Sequence, residues 1–423
     1  MRQSRLVARR AASVLAALTV LLLLVACTAP FQDPDSLSLA DNAGEAGKAT
    51  AFDEGAALTQ HDAASAQDAA QGAAQDAVSD TRHKTVSFIA VGDNLIHASI
   101  YKSHATGDGA YSFDDMYDSV AATVQEADVA YLNQETVCGG TGLGLADYPC
   151  FNSPFEILDA VQAAGFDWIN TASNHSFDVG EAGIRSQLAH LDTLPGLTET
   201  GTHRSWDDAQ QPTVIEANGV LIGLASYTYG LNGFVLPEGG EYLVDLIDTP
   251  RIVQDVERLV QLSDVQIVSM HWGDEYSHVP SDGQVELAYF LSDLGVDVVI
   301  GAHPHVIQPT TMITGGQGNQ TLVIYSLGNF ISAQDEPERM LGEMASWTIR
   351  LDDVDGSLSF EDVEIRPTVT QILPGWHGYK AYLLRDYTDD LAQEHMLAPK
   401  GLSRDSLVTL ALDVFGDEFP VAY

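Results

Sequence analysis

Residue types that bind metals recur in this sequence where apolar segments end. Such positions hold Asp93 and His97, Asn133 and Glu135, Asn174 with His175 and Asp178, His271 ahead of Asp274 and Glu275, His303 and His305 in GAHPHVIQP, and Asn329. Taken singly, each cluster has an ordinary structural explanation, such as a hydrogen-bonded histidine or a helix cap. Taken together, imidazole, carboxylate and amide oxygen suit divalent ions such as Mn, Fe or Zn, and the set is large enough for two ions.

The segments around these residues alternate between strand and helix patterns. Strands are predicted at 86–91, 128–133, 167–172, 265–270, 296–300 and 321–327, and helices at 113–127, 154–165, 179–194, 249–263, 283–295 and 403–416. Hairpins are predicted at 212–228, with Asn218-Gly219 as the turn, and at 346–366. This alternation predicts an α/β fold. Ligands bind at the carboxyl ends of strands in such sheets, so we expect the candidate residues to converge there.

Charge excludes one class of partner. The 423 residues include 60 acidic and 19 basic side chains, which gives a formal net charge of −41. Binding to nucleic acid depends on neutralising phosphates, so we expect no nucleic-acid partner. An anionic substrate would need fixed local cations, and metal ions are the obvious kind.

The N-terminus has the pattern of an export signal. MRQSRLVARR is basic, and the apolar run at 11–26 is short for a membrane span. LVAC, ending at Cys27, resembles a bacterial lipobox. This predicts a lipoprotein signal peptide at 1–26 and lipid attachment at Cys27 to the extracytoplasmic face of the bacterial membrane. An uncleaved signal anchor and a plain secretory signal are the alternatives. The Ala- and Asp-rich residues 27–83 predict a flexible acidic tether.

Two further cysteines flank a glycine-rich loop. Cys138 and Cys150 enclose GGTGLGLADYP. In an oxidising compartment this spacing favours a disulfide, with two unpaired thiols as the alternative.

The order of the motifs resembles a known family. GD…H, N-x-E, NH, HWG, GAHPHV and SLGNF resemble the bacterial capsule-synthesis CapA family, also called poly-γ-glutamate synthesis proteins. Its domain is similar to the calcineurin-like metallophosphoesterases. The resemblance implies a four-layer α/β/β/α sandwich of the metallophosphoesterase type. It places the metallophosphatase domain at 84–335 and a C-terminal extension, packed on the same domain, at 336–423.

The same resemblance implies a site with two divalent metal ions. The metal ligands carried over are Asp93, His97, Glu135, Asn174, His271, His303 and His305, and the catalytic residues are His175, as general acid, and Asp178, which orients it. Two departures stand out. His97 lies four residues after Asp93 instead of two, and Ser173 replaces a glycine.

Three functions remain open at this point. The chain is a metal-dependent hydrolase of phosphoester-type bonds in the cell envelope or in capsule synthesis, a non-hydrolytic accessory factor for capsule polymer assembly or export, or a binding lipoprotein that only retains the fold. The expected partners are the membrane, a capsule polymer and its synthase.

Overall fold

A computed structural model describes residues 83–423. The predicted signal peptide, Cys27 and the tether up to residue 82 lie outside the described residues. Within 83–423, every helix is too short or too polar to cross a bilayer.

The described residues form strands and helices in alternation. In chain order the strands are β1 (His83–Asn94), β2 (Ala105–Gly107), β3 (Ala110–Tyr111), β4 (Val129–Asn133), β5 (Trp168–Asn170), β6 (Thr198–Thr200), β7 (Thr213–Ala217), β8 (Val220–Thr228), β9 (Val265–His271), β10 (Val298–Ala302), β11 (Thr310–Thr314), β12 (Gln320–Ile324), β13 (Asn329–Ile331), β14 (Leu341–Asp352), β15 (Leu358–Leu373) and β16 (His377–Leu383). The α-helices are α1 (Ala98–Ser103), α2 (Asp114–Val124), α3 (Glu156–Ala164), α4 (Gly180–Leu191), α5 (Trp206–Ala209), α6 (Thr249–Leu262), α7 (Asp282–Leu294), α8 (Asp389–Glu394) and α9 (Arg404–Phe415).

Two large sheets organise these strands. The first has the spatial order β16-β15-β14-β1-β4-β5-β6, and β13 pairs with the end of β1. Its strands β1, β4, β5 and β6 are parallel, whereas β14 to β16 are antiparallel. The second has the order β11-β12-β10-β9-β8-β7, with β8, β9, β10 and β12 parallel. Each sheet therefore has a set of parallel strands whose carboxyl ends lie along one edge.

The sheets pack face to face through apolar side chains. Phe88 and Trp347 of the first sheet stack at 5.3 Å, and they share a core with Ile222, Ile267 and Ile300 of the second sheet. Fully burying one such side chain stabilises the fold by about 1.5–3 kcal/mol. This core forms the interface between the two sheets.

Helices cover both outer faces. Val120 of α2 and Val161 of α3 pack on the far side of the first sheet. Ile252 and Val256 of α6 pack with Leu291 of α7 on the far side of the second. The order helix, sheet, sheet, helix is the predicted four-layer α/β/β/α sandwich, which is confirmed.

The cysteine loop departs from prediction. The disulfide expected between Cys138 and Cys150 is wrong for this structure, in which both thiols are free. The Ser153 amide donates to the Val137 carbonyl at 2.9 Å. Cys138, which follows Val137, therefore lies beside the segment around Ser153, and Ser153 is three residues beyond Cys150. The Cys138 thiol instead lies buried, 3.7 Å from the carbonyl oxygen of Thr136.

Candidate metal centre

Parallel strand ends from both sheets supply the candidate ligands. Asp93, next to last in β1, pairs in register with Asn133, the last residue of β4. In the second sheet, His271 ends β9 and pairs with Ala302, the last residue of β10. Glu135 follows β4 by two residues. The fold therefore brings these sequence clusters to one edge.

A strained turn after β10 brings the two sheets together. The His303 amide lies 3.4 Å from Asp93 Oδ1, and His305 Nδ1 lies 3.0 Å from Asp93 Oδ2. His303 has a φ of 100° and His305 a φ of 62°, on either side of Pro304. Residues other than glycine rarely adopt positive φ, and such strain persists only where the surrounding structure fixes it, as at functional sites.

One ligand group joins the first sheet to the turn. Asp93, Glu135 and His305 each offer a ligand atom, and these atoms lie within 4.8 Å of one another. His305 Nε2 is 3.6 Å from Glu135 Oε1, while its Nδ1 faces Asp93. Asn133 Nδ2 donates to Asp93 Oδ1 at 2.8 Å and fixes that carboxylate. All three ligand residues are buried.

A second group uses the same glutamate. Glu135, His271 and His303 also place their ligand atoms within 4.8 Å of one another. His271 Nε2 lies 3.9 Å from Glu135 Oε1 and 3.0 Å from Asn174 Oδ1. Glu135 therefore belongs to both ligand groups, one with Asp93 and His305 and the other with His271 and His303.

Buried atoms without partners show that this donor set fits metal ions. Both carboxylate oxygens of Glu135, and Nδ1 of His271 and of His303, are buried with no hydrogen-bond partner among the described residues. Leaving a buried polar group unpaired costs about 1–3 kcal/mol, and more for a charged group. A cation bound by Glu135 and the imidazoles would satisfy these atoms.

Burial also sets the charges of the ligand groups. It raises the pKa of the Glu135 carboxyl well above its usual range and lowers the pKa of His271 well below its own. It lowers the pKa of His303 to about 3, and His305 adds to that effect. Burial would lower the pKa of His305 as well, but the carboxylates of Glu135 and Asp93 outweigh it and raise that pKa to about 9. His271 and His303 are therefore neutral at pH 7, the state that binds metal.

A histidine–carboxylate pair stands beside these groups. His175 Nδ1 lies 2.7 Å from Asp178 Oδ2, and this oxygen also accepts from the Phe151 amide at 2.6 Å. The Ser173 hydroxyl donates to the Glu135 carbonyl at 2.6 Å and accepts from the His175 amide at 3.1 Å. Ser173, which departs from the glycine of the motif, thus links the pair to the ligand segment.

Residues 87–334 match the family described as bacterial capsule synthesis protein PGA_cap. This match covers more than half of the chain. The chain belongs to this family.

Individual relatives cover less of their own length. The chain is 31% identical over 189 residues to the PGA biosynthesis protein CapA of Bacillus subtilis, which is 42% of this chain and 46% of that protein. It is 27% identical over 183 residues to the capsule biosynthesis protein CapA of Bacillus anthracis, which is 42% of this chain and 43% of that protein. The chain therefore spans about half the length of these curated relatives. An NAD nucleotidase structure from Haemophilus influenzae overlaps 79% of this chain and 60% of its own, with 12% identity and a TM-score of 0.43.

One residue carried over from the capsule synthesis family stays apart from the ligand groups. Within residues 83–423 the groups able to hold a metal do not include His97. His97 precedes α1, and its Nδ1 lies 3.1 Å from the Leu95 carbonyl and 3.2 Å from the Ala333 amide. Burial lowers the pKa of His97 to about 4. Its position four residues past Asp93 puts it beyond the strand end.

Four residues near these ligand groups were not predicted from the sequence to be metal ligands or catalytic residues. Glu275 forms a third group with His303 and His305. Asn329 Oδ1 is 3.1 Å from His305 Nδ1, and the Tyr229 ring centroid is 4.7 Å from that of His303. Asn232 Nδ2 is 3.4 Å from His175 Nδ1. Glu275 follows the end of β9 by four residues and Asn329 begins β13, and the sequence pattern had already marked both as polar residues after apolar segments. Tyr229 and Asn232 follow β8 in a loop whose path only the fold reveals.

Proposed function

We propose that this capsule synthesis protein is a metal-dependent hydrolase of phosphoester-type bonds that acts in the cell envelope during capsule (poly-γ-glutamate) synthesis. The observation that carries the proposal is the sharing of Glu135 by two histidine-containing ligand groups. Its oxygens are buried and unpartnered, as expected for a carboxylate placed between two cations.

The chain offers ligands for two divalent ions. Asp93, Glu135 and His305 would hold one, and Glu135, His271 and His303 the other, with Asn174 beside His271. Bound divalent ions would supply positive charge against phosphoryl oxygens and would acidify a water molecule. The mixed nitrogen and oxygen donors suit Mn, Fe or Zn.

His175 would donate a proton in this reaction. Its Nδ1 is held by Asp178 at 2.7 Å, which fixes the ring and leaves Nε2 as the atom that can donate to a leaving oxygen. Asn174, the preceding residue, contacts the ligand His271 at 3.0 Å. The proton donor His175 and the candidate ligand Asn174 therefore lie on one short segment.

The proposal also covers the location and the partners of the protein, and it involves Cys27, which lies outside the described residues. Lipid attachment at Cys27 would hold the domain at the extracytoplasmic face of the membrane, where a capsule polymer and its synthase would be its partners. The relatives named for PGA and capsule biosynthesis support this setting.

A phosphoester assay with controlled metal content tests the proposal. The full-length protein should lose turnover of aryl phosphates after chelation and regain it with Mn²⁺, Fe²⁺ or Zn²⁺. His175→Ala should bind the same amount of metal and turn over slowly. Tight metal binding with no hydrolysis across a screen of monoesters and diesters would instead favour the non-hydrolytic accessory function.

A further inference from the structure

Arg339 is an arginine without a carboxylate partner in a strongly acidic chain. Most basic side chains in residues 83–423 form an ion pair, as Arg251 does with Asp245 at 2.8 Å. Arg339 has neither an ion pair nor a side-chain hydrogen bond within that range, and its Nε atom is buried without a partner. A buried guanidinium N–H without an acceptor requires an explanation, and an acceptor supplied by a bound ligand is one.

The aromatic ring of Tyr276 lies near both the Arg339 side chain and the ligand residue His305. The Arg339 Cζ atom sits 3.7 Å from the centroid of the Tyr276 ring, and the Tyr276 ring lies 6.0 Å from that of His305. The Arg339 backbone is also hydrogen-bonded to Asn329, a residue that contacts His305. Asn329 Nδ2 donates to the Arg339 carbonyl at 3.0 Å, while Asn329 Oδ1 faces His305 Nδ1 at 3.1 Å. Two independent contacts therefore position the cation at the edge of the site.

Tyr276 is itself held in a strained position. Its φ of 67° lies in the left-handed region, and its amide donates to the Pro304 carbonyl, between the two ligand histidines, at 2.7 Å. Tyr276 as a residue is 38% exposed, so it lies at the protein surface. Stacking on an aromatic ring holds a guanidinium in one plane and leaves its N–H edge free for a planar anion.

We propose that Arg339 binds a second anionic group of the substrate, adjacent to the phosphoryl group at the metal centre. This inference rests on the proposed function and adds a substrate class to it. The substrate has two neighbouring oxyanion groups, and the second is a phosphate or a carboxylate. Both present paired oxygens that match the arginine fork in a bidentate contact. In a chain with a net charge of −41, a local arginine also offsets the repulsion of such a substrate.

Ligand binding without turnover separates this inference from hydrolysis. The full-length protein, in buffer with saturating Mn²⁺, would be titrated calorimetrically with methylphosphonate, methylenediphosphonate and phosphonoacetate. The first ligand has one anionic group, and the others add a phosphonate or a carboxylate. Arg339→Gln should weaken binding of at least one two-anion ligand by about 10- to 100-fold, from the strength of a charged hydrogen bond, and change methylphosphonate binding by less than about 3-fold.

Matched variants serve as controls for the binding measurements on Arg339→Gln. Arg404→Gln removes the same charge from the start of α9 in the outer helical layer and should change none of the three affinities. Arg339→Lys keeps the charge but loses the planar fork, so it should recover only part of the binding. Tyr276→Leu removes the stacking platform and should weaken the same two-anion ligand, which keeps the test available if Arg339→Gln is unstable.

The outcomes are distinct. A larger loss for methylenediphosphonate assigns a second phosphate, and a larger loss for phosphonoacetate assigns a carboxylate. Equal effects of Arg339→Gln on all three ligands, or no effect on any, would overturn the role of Arg339. A wild-type protein that binds two-anion ligands through Arg339 but hydrolyses no phosphoester would contradict the proposed function and leave Arg339 as an anion-binding residue.

Discussion

Replacing Glu135 by glutamine should affect the metal-free and the metal-loaded protein in opposite directions. The change keeps the shape of the side chain and removes its charge. Without metal, the Glu135 carboxyl is fully buried and both of its oxygens lack a hydrogen-bond partner, although His305 Nε2 lies 3.6 Å from Oε1. With metal, the same carboxylate would be shared by both ligand groups. The substitution therefore removes a buried charge from the metal-free protein and a metal ligand from the metal-loaded protein.

The expected size is that of removing a buried charge while a neutral buried amide stays in its place, on the order of 1–3 kcal/mol. Glu135→Gln should raise the free energy of unfolding of the metal-free protein by this amount at pH 8. Burial raises the pKa of Glu135, so the folded state keeps a proton that the unfolded carboxyl has lost. Stability of the metal-free wild type therefore falls as pH rises above the ordinary carboxyl pKa. The two proteins should differ less at pH 5 than at pH 8.

Calorimetric unfolding with and without divalent ion measures both effects. Metal at 100 times its Kd should stabilise the wild type by about 2.7 kcal/mol, and Glu135→Gln should gain much less at the same concentration. Glu216→Gln, on the exposed face of β7, is the matched control and should behave like the wild type. A Glu135→Gln protein that is less stable than wild type without metal, or equally stabilised by metal, would refute the reasoning.

Other substitutions test separate parts of the site and fold. His303→Ala should lower metal content while circular dichroism stays native, because the residue lies in a loop after β10; unchanged metal content would contradict its assignment. His175→Ala should retain metal but lose about 10²- to 10⁴-fold in turnover of esters with poor leaving groups, with activated aryl esters less affected; loss of metal would make it a ligand. Burial raises the pKa of Glu343 to about 8, so its folded carboxyl keeps a proton between its ordinary pKa and about 8, and stability should fall with rising pH across that window. Glu343→Gln should flatten that slope in chemical denaturation, and an unchanged slope would count against it. Native protein should react with a thiol reagent at Cys150 only, and denatured protein at Cys138 as well; a disulfide peptide in mass spectrometry would contradict the free thiols.

Long periodic segments made the fold predictable from sequence. The predicted helices and strands from 86 to 366, and the last helix, are confirmed with ends shifted by a few residues. Asn218 and Gly219 both adopt positive φ, 51° and 75°, as the predicted hairpin turn requires. Strands β6 and β13 were not predicted, because three residues are too few to show a period. β16 was also missed, although Tyr379, Ala381 and Leu383 alternate inward.

The sequence does not give distances between residues in space, and this limited the prediction of the site. Strand ends predicted that Asp93, Glu135, His271 and the two histidines of GAHPHV would meet, and the structure brings them together. Spacing alone could not show that the His97 ring would contact backbone groups of Leu95 and Ala333 instead of the ligand groups. Nor could it place Arg339 near the site, because its segment approaches His305 through Tyr276 only in the folded chain.

Anomalous X-ray diffraction from a metal-loaded crystal tests the central claim most directly. Data on both sides of the absorption edge of the bound metal should show two peaks, one on each side of the Glu135 carboxylate. One peak should contact Asp93 and His305, and the other His271 and His303. A single peak away from Glu135, or no peak in crystals grown with saturating metal, would contradict a centre built around this glutamate.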